Sequence, residues 1–104
     1  MAGKTPKYRR IAVNIPIGTS RRFKQEDIGS QSAVLITKGV TEQNPFFTFG
    51  ENADAFQLNT TTGVFIQWDD EFDELTIAVP ATAAGPAVGD IILFNSCKVL
   101  FQSV

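Results

Sequence analysis

Val64-Phe65-Ile66-Gln67-Trp68 is followed, six residues later, by Leu75-Thr76-Ile77-Ala78-Val79. In the second stretch Leu75, Ile77 and Val79 alternate with Thr76 and Ala78, the two-residue period of a strand with one face on a core. The first is a strand-length apolar run of the same kind. Together they read as a β-hairpin. Its connection would be residues 69–74, where Asp69, Asp70, Glu71, Asp73 and Glu74 put five acids into six positions.

The same period recurs on either side. Ile11, Val13, Ile15 and Ile17 alternate with Ala12, Asn14 and Pro16. Pro16 cannot donate a ladder hydrogen bond, so it marks an edge or a strand end. After the turn signal Gly18-Thr19-Ser20, a short strand is expected around Phe23, then a turn at residues 27–30. Residues 32–38 are apolar at Ala33, Val34, Leu35 and Ile36, which fits a central strand covered on both faces. Asn44-Pro45 opens Phe46-Phe47-Thr48-Phe49, and a further segment spans residues 55–58. Residues 80–89 contain two prolines and two glycines and predict a loop with no regular element. Strands at residues 90–94 and 97–101 finish the chain. No run of ten or more residues has helical spacing, so the fold is expected to be all-β, with eight or nine short strands in a sandwich or barrel.

At 104 residues the chain makes one domain, burying roughly 60–68% of its unfolded surface without needing disulfides or metals. Its apolar residues fall in short runs, none near the ~18 of a membrane span, so no membrane partner is expected. Residues 1–7 carry charge but no apolar run behind it, so no secretory signal is expected. They also lack core-forming residues and read as a basic N-terminal arm preceding a domain at 8–104. The single cysteine, Cys97, cannot form an intrachain disulfide, which fits a reducing compartment.

Charge is distributed unevenly. Residues 1–52 hold eight Lys/Arg against four Asp/Glu, and residues 53–104 hold one against seven, so a +4 half joins a −6 half. Lys4, Lys7, Arg9 and Arg10 form one basic cluster; Arg21, Arg22 and Lys24 form another. Opposed patches on a small domain suit head-to-tail binding of a copy of itself, and the expected state is a homo-oligomer. The interaction candidates are Lys4, Lys7, Arg9, Arg10, Arg21, Arg22, Asp69, Asp70, Glu71, Asp73 and Glu74. Trp68 joins them as an interface anchor, an alternative to a core role. The sequence pI of about 4.9 argues against nucleic acid as a general partner, though not against local contact by the arm.

Catalysis is disfavoured. The chain has no histidine, the commonest general base and metal ligand, so no Ser-His-Asp or Cys-His site can form. Cys97, flanked by apolar segments, reads as a buried, inert thiol. Five acids at a hairpin tip lack the walls of a glycosidase cleft. They also lack the glycine and alternating ligands of an EF-hand loop, although Ca²⁺ takes such oxygens. No catalytic, cofactor-binding or metal-ligating residue is assigned. Phe46, Phe47 and Phe49 with Arg21, Arg22 and Lys24 have the composition of a single-strand-binding surface; a core strand with one ring at an interface accounts for them better. Sugar binding through Trp68 and nearby Asp or Asn side chains is a further alternative.

Thr62-Gly63-Val64-Phe65-Ile66-Gln67-Trp68 through Leu75-Thr76-Ile77, closed by Gly89-Asp90-Ile91-Ile92-Leu93-Phe94, resembles the small β-sandwich or jelly-roll virion proteins of tailed bacteriophages. The likeness to capsid decoration (cement) proteins and related accessory subunits lies in size, lack of histidine, basic arm and strand density. It spans about residues 8–102 and transfers no functional residue. It implies a jelly-roll-like β-sandwich and a non-enzymatic subunit, made in the host cytoplasm and resident on the virion. Such a subunit binds the major capsid protein or another virion protein and strengthens the lattice, commonly as a symmetric oligomer. The alternative is a small binding module for carbohydrate or single-stranded nucleic acid.

Overall fold

The computed structural model describes residues 8–50, 54–58 and 61–95, the side chains of residues 68–70 excepted. In chain order the elements are β1 (Tyr8–Ile15), β2 (Ser20–Phe23), α1 (Gln25–Ile28), β3 (Gln31–Ile36), α2 (Lys38–Thr41), β4 (Phe46–Phe49), β5 (Phe56–Gln57), β6 (Val64–Phe72), β7 (Leu75–Ala78) and β8 (Ala87–Phe94). The strands form two four-stranded sheets, ordered β1-β8-β3-β6 and β2-β7-β4-β5. Every neighbouring pair is antiparallel. Consecutive strands alternate between the sheets, except β4 and β5, which pair with each other. The molecule is an all-β sandwich, wound as a jelly roll.

The period-2 pattern places the core. Val13 and Ile15 of β1, Val34 and Ile36 of β3, and Ile91 and Leu93 of β8 are buried from one sheet. Phe23 of β2, Phe47 and Phe49 of β4, and Leu75 and Ile77 of β7 meet them from the other. Pro16 stops β1 one residue past its last ladder pair, Ile15 with Ala87. The chain then reverses through a turn closed by Thr19 N–H donating to the Pro16 carbonyl at 3.2 Å. Gly18 sits in that turn at φ 76°, a left-handed conformation that glycine adopts without a Cβ clash.

Residues 64–68 and 75–79 are not a hairpin. β6 pairs with β3 in the first sheet, whereas β7 lies between β2 and β4 in the second. Alternation reports which face is buried and says nothing of which strand is the neighbour. The acidic run is accordingly not a hairpin tip. Residues 69–71 belong to β6, and Asp73 and Glu74 form the corner where the chain crosses between sheets. Phe72 holds that corner, being buried and set edge-on to Phe49 at 5.0 Å between ring centroids.

The expected loop at residues 80–89 is also shorter, because β8 begins at Ala87. Ala87 and Gly89 have weak strand propensity, but β1 offers residues 87–89 partners in Ile15, Asn14 and Val13, and the ladder overrides propensity. Two single-turn helices lie in the crossings between the sheets, α1 between β2 and β3 and α2 between β3 and β4. In α1 the Asp27 carboxylate accepts from Lys24 N–H at 3.0 Å. In α2 the buried Thr41 hydroxyl donates to the Thr62 carbonyl at 2.8 Å. The arm at residues 1–7, Lys4 and Lys7 within it, and the strand expected at 97–101 with Cys97 lie outside the described residues.

Candidate interaction surface

The cross-strand register sets out the outer face of the β1-β8-β3-β6 sheet level by level. Tyr8, Phe94, Ala33 and Gln67 share one level; Arg10, Ile92, Leu35 and Phe65 share the next outward-facing one. Because Val34, Ile36, Ile91 and Leu93 point into the core, their neighbours Leu35, Ile92 and Phe94 point away from it. The result is a continuous apolar patch. Tyr8 is 67% exposed and Phe65 37% exposed, while Leu35, Ile92 and Phe94 are half-buried among their neighbours. The rings of Tyr8 and Phe65 approach that of Phe94 at 6.4 and 6.0 Å.

The outer face of the other sheet is different. Arg22, Thr76 and Thr48 form one level, and Ser20, Ala78, Phe46 and Gln57 the next. Only Phe46 is a large apolar residue there. Phe47 and Phe49 are buried, so the three phenylalanines make core and one exposed ring, not a stacking platform for bases.

Several charged candidates meet within the chain. The Arg22 guanidinium donates from Nε at 2.9 Å and from Nη2 at 2.6 Å to one Glu74 oxygen. This bond joins the second basic cluster to the acidic run. Arg21 lies over the Phe23 ring at 4.6 Å, a cation–π contact. Arg9 donates to the Asp27 carbonyl at the end of α1. Arg10 pairs with Asp90 at 2.8 Å across β1 and β8, and that hydrogen bond, then the carboxylate's charge, raises the arginine pKa. Ser30 donates to Glu71 at 2.8 Å. Asp73 is exposed. For Trp68, Asp69 and Asp70 only the strand backbone is described.

β6 carries a pronounced bulge at the acids. Gln31 and Ala33, two residues apart on β3, pair with Phe72 and Gln67, five apart on β6. Residues 68–71 therefore bow out opposite Ser32 alone.

An open cleft of about 290 Å³ is lined by Glu42, Gln43, Asn44, Gln57, Pro80 and Thr82, among others. Gln43 accepts from Gly85 N–H at 3.1 Å, and Gln57 donates to the Asn44 carbonyl at 2.7 Å. Asn44 sits at φ 53°, a left-handed conformation asparagine tolerates better than most residues. Among the described residues, no group of three or more His, Cys, Asp or Glu is placed to hold a metal ion, and no helix is long and apolar enough to cross a membrane.

Sequence reasoning missed the apolar outer patch and the amide-lined cleft. The patch had a signal: residues 33–36 and 91–94 are apolar without alternation, yet a sandwich covers only one face of each sheet. The cleft had none, because its side chains come from two separate connections and the end of β5. Comparison with protein-family models, curated proteins and solved structures finds no match.

Proposed function

We propose that this chain is a non-enzymatic structural subunit of a virus particle, most concretely a decoration protein of a tailed bacteriophage capsid. It would be made in the host cytoplasm and reside on the virion. The observation that carries the reading is the apolar outer face of Tyr8, Leu35, Phe65, Ile92 and Phe94 on one sheet, beside a largely polar face on the other. Contiguous exposed apolar surface on a small soluble domain marks a docking site, and aromatic anchors set among aliphatic side chains dominate protein interfaces. The jelly roll is an architecture that viral capsid domains use, as do lectins, so the fold alone does not select the function. On this reading the protein binds the assembled lattice and not its separated subunits, and by mass action stabilises the assembly.

Co-sedimentation with the particle tests it. Leu35→Ser combined with Phe65→Ser alters only the outer face and should weaken binding by about tenfold or more while leaving a cooperative thermal transition. Undiminished binding by this folded double variant would remove the outer face as the docking surface.

The cleft favours a second reading, a small carbohydrate-binding module. Carboxamides offer both donors and acceptors to neutral hydroxyls, and Gln43, Asn44 and Gln57 converge there. Titration with neutral oligosaccharides, followed by amide chemical shifts, should move Gln43, Asn44 and Gln57 together if this holds. Unmoved resonances would eliminate it.

A further inference from the structure

We propose that copies of this chain join head to tail through the two edges of one sheet, the β6 edge of one copy against the β1 edge of the next. This goes beyond the docking reading: the partner is a second copy, the surface is a pair of strand edges, and the outer face stays free.

Edge length is the first argument. In the β2-β7-β4-β5 sheet the edge strands have four and two residues, whereas the edges of the other sheet, β1 and β6, have eight and nine, β6 being regular over residues 64–67 before its bulge. Short edges are a common protection against unwanted pairing, and long ones present a row of open backbone donors and acceptors. Among the described residues β1 pairs only with β8, and β6 only with β3.

Strand direction is the second. Each of the three steps across the sheet is antiparallel, so β1 and β6 run in opposite senses. A second copy set alongside in the same orientation therefore presents its β1 antiparallel to the first copy's β6, the usual ladder of this fold.

Charge selects this pairing over the others. Arg9 and Arg10 lie at the start of β1, and Asp69, Asp70 and Glu71 near the end of β6; antiparallel alignment puts those two ends together. Two β1 edges, or two β6 edges, would bring like-charged strands together. The register is compatible as well. Tyr8 and Ile11 stand level with Gln67 and Val64, so the neighbour's Tyr8 to Ile11 can pair with the regular part of β6, before the bulge. The acidic bulge then begins two to three residues from Arg9, at most about 10 Å at the strand rise and on the order of the Debye length in physiological salt. The contact is heterologous: a joined pair keeps one unused edge of each sign, β1 on one copy and β6 on the other, and the assembly grows into a ring or a filament.

Sedimentation of the wild-type chain tests this, with association expected at low salt and a clear weakening as salt rises. Arg9→Glu with Arg10→Glu, and separately Asp69→Lys with Asp70→Lys, should each abolish self-association, and mixing the two variants should restore it. Restoration follows because each edge then meets an opposite charge. A wild type that stays monomeric at low salt and high concentration would overturn the proposal. So would variants that associate as the wild type does, or that remain monomeric when mixed although melting shows both folded. Failure of particle binding alone leaves this result untouched, because that assay reads the outer face.

Discussion

A Cβ on Gly39 would lie 2.1 Å from the Val88 carbonyl oxygen, a backbone atom that cannot swing aside. The glycine lets α2 sit directly on β8, where Thr37 and Asp90 exchange bonds: Thr37 N–H to the Asp90 carbonyl at 3.0 Å, and Asp90 N–H to the Thr37 hydroxyl at 2.9 Å. Gly39→Ala should therefore cost about 2–3 kcal/mol through overpacking and lower the melting temperature by on the order of 10 °C. Gly85→Ala is the control. Its nearest neighbour would be the Gln43 side chain at 3.9 Å, so thermal melting should change by no more than about 0.5 kcal/mol. The Arg22–Glu74 pair is an opposite case, short at 2.6 Å but with Arg22 half exposed. Glu74→Gln should cost less than about 1 kcal/mol by urea titration, although two sequence clusters meet there.

At the scale of elements, the crossing between β6 and β7 ties the sheets together. Phe72 is buried at 5% exposure and packs on Phe49, which in turn stacks on Phe56 at 5.7 Å. Phe72→Ala should cost about 3–5 kcal/mol, visible as a lower denaturation midpoint. A hairpin tip at this position would have tolerated the change. The strands themselves were legible in the sequence wherever apolar residues alternate, as in β1 and β7, or run together between turn signals, as in β3 and β4. Their partners were not. Pairing in a jelly roll is between strands distant in sequence, such as β1 with β8, and local pattern carries no term for that. The start of β8 was hidden for the same reason, since Ala87-Val88-Gly89 becomes strand only because β1 lies beside it. The charged part of the candidate surface could be anticipated. The charged clusters were visible as clusters, but folding pairs Arg22 with Glu74 and Arg10 with Asp90. The apolar patch depends on which residues share a level of the sheet.

On the scale of the whole molecule, the two sheets are unequal partners. One turns a largely polar face outward and has short edges. The other turns out Tyr8, Leu35, Phe65, Ile92 and Phe94 and has long edges of opposite charge. A subunit that lies on a lattice through one face and meets its copies through the sides of the same sheet needs this asymmetry. Electron microscopy of any particle that co-purifies with the chain, as the proposed function requires, tests the claim most directly. The predicted result is regular density on the shell, into which the domain fits with the β1-β8-β3-β6 sheet turned toward the capsid protein. Density fitted with that sheet facing solvent, or a chain recovered only as free protein with no particle, would contradict the account.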